Sequence, residues 1–121
     1  MEYILEEYTS KVFKILTKWN DSRKYCQDLN GDLASFANKA EQDEALKGAD
    51  PGNWCWIGIS DVEGAWKWTD GAQVAWTSWN YGEPAGGAPN DCVYVNENGG
   101  KWSTRSCSSE FYFICKVPKD W

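Results

Sequence analysis

The chain contains no histidine in its 121 residues. That absence excludes His-ligated zinc, Ser-His-Asp and Cys-His catalysis, and any imidazole switch near neutral pH. Basic residues are scarce as well: 12 Lys and Arg stand against 18 Asp and Glu, a net charge of −6. Such a surface repels phosphate backbones and anionic lipid, and no Lys/Arg stripe reverses it locally, so nucleic-acid binding is excluded. Long hydrophobic runs are also missing. Val74-Ala75-Trp76 and Phe111-Tyr112-Phe113-Ile114-Cys115 fall far short of the ~20 residues that a membrane span requires. Met1-Glu2-Tyr3 lacks the basic start and apolar stretch of a signal peptide, which predicts that a leader was removed or that the domain comes from a larger chain.

What is present in excess is tryptophan, with 9, and cysteine, with 5. Five cysteines in a chain the size of one domain point to disulfides and an oxidising compartment. No C-x2-C pair supports zinc, and four cysteines allow three pairings between which the sequence does not choose. One cysteine is left over.

No repeat, low-complexity tract or linker divides the chain, so residues 1–121 read as one domain. Thr17 is expected to cap a first helix on which Trp19, Ser22, Cys26 and Leu29 recur near helical spacing, and Asn30-Gly31 supplies a left-handed stop. Asn38, with Glu41 three residues on, predicts a capping box and a second helix to about Leu46. Its charges Glu41, Asp43 and Glu44 read as a solvated face. Strands are expected at Trp54–Ile59, Trp66–Trp68, Cys92–Val95, Lys101–Ser103 and Phe111–Cys115, with a hairpin turn at Asn98-Gly99. Glycine and proline over residues 82–89 resist both helix and strand. Helices followed by strands around a long loop give an α+β class.

Several motifs then fall in one order. They are Trp19-x6-Cys26, Gly31-Asp32-Leu33-Ala34, Trp56-Ile57-Gly58-Ile59, Trp66-Lys67-Trp68-Thr69-Asp70-Gly71 and Trp79-x2-Gly82-Glu83-Pro84. Asp91-Cys92-Val93, Trp102-x4-Cys107 and Phe113-Ile114-Cys115 complete the set. Over about residues 8–117 the chain resembles the C-type lectin-like domain. The resemblance implies two helices on a small, mostly antiparallel sheet with a long irregular loop. It implies bridges Cys26–Cys115 and Cys92–Cys107, and core packing for Trp56, Trp68, Trp79 and Trp102. Cys55 has no usual counterpart in the family. The expected role is a buried apolar filler, with an intermolecular bridge, and so a dimer through Cys55, or a bridge to a missing segment as the alternatives.

In sugar-binding members of that family calcium is held by a Glu-Pro-Asn motif, a Trp-Asn-Asp motif and a further acid. Ca2+ takes six to eight oxygens, and sugar hydroxyls complete the shell. Here Glu83 and Pro84 match, but Ala85 replaces the amide, Asn90 the further acid, and Ser103 and Thr104 the Asn-Asp pair. Only Glu83 keeps the expected ligand. No metal or other cofactor is therefore expected; if calcium binds, its ligands come from Glu83, Asn90, Asp91, Asp61 and Glu63. The expected function is extracellular, secreted or cell-surface recognition of a protein or glycan without calcium. Glu83, Asn90, Asp91, Trp76, Tyr81, Ser103 and Thr104 are the candidate ligand residues. Trp76 reads chiefly as packing, whereas Trp54 and Tyr81 are freer to anchor a partner. The alternatives are a calcium-dependent carbohydrate-binding lectin and an assembly module of a larger surface protein. An antifreeze role, known for a few relatives, finds no ice-matching surface in the sequence. Asp61 and Glu63 as a glycosidase pair find no catalytic constellation, so an enzyme is not expected.

Overall fold

The computed structural model describes residues 7–50, 52–61, 64–84, 92–96 and 99–119. These form β1 (Tyr8–Thr17), α1 (Trp19–Asp28), β2 (Asp32–Leu33), α2 (Lys39–Leu46), β3 (Trp54–Ser60), β4 (Lys67–Trp68), β5 (Cys92–Asn96), β6 (Trp102–Arg105) and β7 (Phe111–Pro118). The strands make one sheet in the order β1-β7-β3-β5-β6, with β2 on β7 and β4 on β3. Only β3 and β7 run parallel, so the sheet is mixed but mostly antiparallel, as the resemblance implied.

Side chains alternate across a strand, and both faces of this sheet are covered. One face buries Ile57, Val93, Val95 and Ile114 with Phe36, Trp68 and Trp102. The other buries Trp56, Tyr94, Phe113 and the Cys26–Cys115 pair with Trp19 of α1. Trp19, Ser22 and Cys26 form the buried stripe of α1, and the Trp19 indole N–H donates to the Ile57 carbonyl at 3.0 Å. Asn30, at φ 67°, ends the helix. A Cβ on Gly31 would lie 2.0 Å from the Lys116 carbonyl oxygen, so only glycine fits beside β7.

The N-cap of α1 is Lys18, not Thr17, and it makes no side-chain capping bond. Thr17 is instead the last residue of β1: its carbonyl accepts the Trp56 indole N–H at 2.8 Å, and its hydroxyl turns back to the Ile15 carbonyl. For α2 the expectation holds, since Asn38 Oδ1 accepts from Glu41 N–H at 2.9 Å. Glu41 reaches back to the Ala37 N–H at 3.0 Å, one residue before the cap. Trp66 stands outside β4, with its ring edge against Trp79 at 4.9 Å. Asn98 lies outside the described residues. Gly99 and Gly100, both at positive φ, and the bond from Gly100 N–H to the Asn96 carbonyl make the tight return into β6.

Both bridges pair as the resemblance implied: Cα atoms are 5.3 Å apart in Cys26–Cys115 and 5.2 Å in Cys92–Cys107. Cys55 is 0% exposed and packs among Ile57, Val95 and Ile114. That fits the filler role. It also corrects the alternative of a dimer through Cys55, because a thiol sealed in the core of the folded domain is beyond reach of a second chain.

Candidate functional site

The segment ahead of the long loop is clipped to the sheet edge by backbone. Trp102 N–H donates to the Ser78 carbonyl and Asn80 N–H to the Trp102 carbonyl, each at 2.8 Å. These bonds run Trp79 parallel to β6. Two residues past Tyr81, the ladder is continued by a side chain. Glu83 Oε1 accepts the Thr104 backbone N–H at 3.0 Å and the Thr104 hydroxyl at 2.8 Å. The peptide bond between Glu83 and Pro84 is cis.

Alternation along β6 explains why Thr104 and not Ser103 meets Glu83. Trp102 and Thr104 are the buried positions, whereas Ser103 and Arg105 fall on the opposite face. Ser103 pairs with Tyr94 and Thr104 with Val93 on the neighbouring strand. Of the seven candidate ligand residues, the structure brings Glu83 and Thr104 into direct contact. Asn90 and Asp91 lie outside the described residues, as do Ala85 and the Glu63 of the auxiliary set. Asp61 begins a turn after β3, its carbonyl accepting Gly64 N–H at 2.8 Å.

The aromatic candidates separate cleanly. Trp76 and Trp79 are half-buried and meet the Trp102 ring edge-on, with centroids 5.6 and 5.4 Å away. Trp102 itself is held by its indole N–H, which donates to Gln42 Oε1 at 2.6 Å, while Gln42 Nε2 donates to the Gly100 carbonyl at 2.7 Å. Trp76 is therefore mainly core. Tyr81 is 101% exposed and presents its whole ring to solvent. Trp54 is 37% exposed, but Tyr94 stacks on it at 5.0 Å and the Arg105 guanidinium lies 5.6 Å from its ring centroid.

A concavity of about 530 Å3 away from that loop has no counterpart in the sequence reading. Tyr8, Asn30, Asp32, Thr69, Asp70 and Lys116 line it. Its charges are internally matched: Lys116 donates to Ser35 at 2.9 Å, Ser35 donates to Asp70, and Arg23 pairs with Asp32 at 3.1 Å. Asp32 and Asp70 each fall in a sequence motif, but Ser35, Asp70 and Lys116 are far apart in sequence and no motif joins them. Among the described residues no group of three or more His, Cys, Asp or Glu stands close enough to hold a metal ion.

A double-faced sheet tied by these two bridges, with the segment ahead of the long loop clipped to its edge, is the frame of a ligand-recognition domain. The chain belongs to the C-type lectin domain family, whose Lectin C-type domain matches residues 15–117. It is 36% identical over 122 residues to snaclec echicetin subunit beta of Echis carinatus sochureki, spanning 95% of this chain and 94% of that protein. Human lithostathine superposes with a TM-score of 0.82 at 29% identity, covering 97% of this chain and 88% of that one. The C-type carbohydrate-recognition domain of cow CD23, solved in the presence of a GlcNAc2Man3 oligosaccharide, gives a TM-score of 0.82 at 30% identity, covering 94% and 90%. Domains of this family are typically non-enzymatic binding modules.

Proposed function

We propose that this domain recognises a protein or glycan outside the cell and does so without calcium. The observation that carries the reading is the engagement of Glu83 by Thr104. Glu83 is the one expected calcium ligand that the sequence retains, and Oε1 already serves two donors from a residue that stands where the sugar-binding family has a carboxylate. Loss of that carboxylate and of the acid at Asn90 removes negative charge, and loss of the amide at Ala85 removes a further oxygen ligand, that a divalent cation would use. Tyr81, fully exposed in the same loop, is the natural anchor for a partner, since a single aromatic ring supplies large contact area at low entropic cost. Two disulfides and the family's extracellular occurrence support the location. Among the described residues no helix is long and apolar enough to cross a membrane.

The test is a thermal melt in millimolar calcium against excess chelator, with a glycan array run under both conditions. A ligand of the folded state raises apparent stability by RT ln(1 + [L]/Kd), so the expected shift is within noise and array binding is unchanged by chelator. A rise of several degrees that disappears in Glu83→Ala would overturn the calcium-free reading. A second reading, assembly with another chain, is favoured by the likeness to a protein named as a subunit. Sedimentation of the isolated domain across concentration tests it, and a monomer throughout counts against self-assembly.

A further inference from the structure

The chain contains a single Asn-x-Ser/Thr triplet, Asn20-Asp21-Ser22. That triplet, with any residue but proline in the middle, is the acceptor signature for N-linked glycans. It occupies the first turn of α1. Residues two apart on a helix do not share a face, and here the two ends of the triplet have opposite fates. Asn20 is exposed, and its carboxamide makes no hydrogen bond among the described residues. Ser22 is 0% exposed, and its hydroxyl donates to the Lys18 carbonyl at 2.9 Å. Asn20 also stands on the rim of a cleft of about 550 Å3 that Trp19, Arg23, Ser60 and Lys67 help to line. The innermost sugar of a chain at Asn20 has room there without displacing any core residue.

We propose that Asn20 carries an N-linked oligosaccharide, added before α1 folds. The donor is an oligosaccharide linked to a polyprenyl diphosphate. Asn20 Nδ2 attacks the anomeric carbon of the donor, and a C1–Nδ2 bond forms. The C1–O bond to the diphosphate breaks, its electron pair leaves with the lipid diphosphate, and the proton lost from the amide passes to base. Recognition of the triplet requires the Ser22 hydroxyl as well as the Asn20 amide. Once α1 forms, that hydroxyl is sealed against the core and committed to Lys18, so the folded domain no longer presents the motif. The order is therefore glycan first, helix second. The inference rests on the extracellular reading above, because the donor and the oxidising conditions for both disulfides share one compartment.

The experiment expresses the full chain through a eukaryotic secretory pathway and maps the secreted protein by mass spectrometry. The expected result is an oligosaccharide on the Asn20 peptide, released by peptide N-glycosidase F and missing from Asn20→Gln, which is secreted with both bridges formed. A wild-type chain secreted with both bridges and bare at Asn20 overturns the inference and leaves the extracellular reading standing. The order is tested with bacterially produced, refolded domain, purified oligosaccharyltransferase and lipid-linked donor. The native domain stays unmodified and the reduced, unfolded chain gains the glycan. Equal modification of the two would overturn the order.

Discussion

Glu83 and Thr104 share one oxygen: Oε1 of the glutamate accepts both the backbone N–H and the hydroxyl of the threonine, at 3.0 and 2.8 Å. A carboxylate therefore finishes the edge of β6 in place of another strand. Thr104→Asp removes the hydroxyl donor and sets a second carboxylate beside the first. Hydrogen bonds to charged groups are worth about 1.5–3 kcal/mol, so a stability loss of about 1–3 kcal/mol is expected at neutral pH. Calcium, which would bridge the pair, should recover part of it. Urea titrations of both proteins with and without calcium measure this. A variant as stable as the parent at neutral pH would mean that Glu83 is not held at this edge.

The two bridges should differ in worth. Cys26 and Cys115 are 89 residues apart, Cys92 and Cys107 only 15. Loop-closure entropy gives about 3 kcal/mol for the short loop and somewhat under 5 kcal/mol for the long one. Denaturant unfolding of the two double-alanine variants should rank them in that order.

Gln42 is buried, and both ends of its amide are in use, with Trp102 and with Gly100. Gln42→Ala strands the indole N–H in the core and leaves space beside it. A cost of about 2–4 kcal/mol is expected from the orphaned donor and the lost packing together. Gln42→Glu, which keeps the acceptor, should retain the bond to Trp102 but lose the one to Gly100. Chemical denaturation followed by tryptophan fluorescence resolves the two.

Cys55 should remain unmodified by an alkylating reagent in the native domain and react fully once the chain unfolds. Non-reducing electrophoresis should show a single-chain band. Rapid labelling of folded protein would contradict the placement of this thiol in the core.

How far the sequence foretold this molecule depended on where the signal lay. Cys26, Trp56, Trp68, Trp102 and Cys115 are core residues in rigid motif positions, and the first helix carried its own stop at Asn30. The ten-residue β1 escaped. Its sequence places Lys11 and Lys14 on an edge strand and leaves Ile15 and Leu16 exposed, so the alternation that betrays a half-buried strand is absent. Thr17 looked like a cap because capping chemistry is local. What holds it in β1 is the Trp56 indole, which is remote in sequence. At the site, the departure of Ala85, Ser103 and Thr104 from the motifs of the sugar-binding family could be read from residue identity. That Thr104 would turn its hydroxyl to Glu83 follows from the parity of β6 and the clipping of residues 78–80 against it, and no local pattern encodes either.

The pairing of β1 with β7 brings Glu7 and Lys119 within one hydrogen bond of each other, at 2.9 Å. Tension applied across those two points would peel the antiparallel pair from its open end, breaking the rungs one after another rather than all at once. The peeling would pass Tyr8, Thr9 and Ser10 and then reach Lys11, which faces Cys115. There the pull on β7 passes into the covalent link from Cys115 to Cys26, while the rest of β1 and α1, up to Cys26, remain in the path of the force. Everything between those two cysteines, including the loop that carries Tyr81 and Glu83, lies inside a closed ring that the force bypasses. Held at a surface under flow or traction, the domain would lengthen only through the residues ahead of Cys26 and beyond Cys115, and the loop that carries Tyr81 would stay slack.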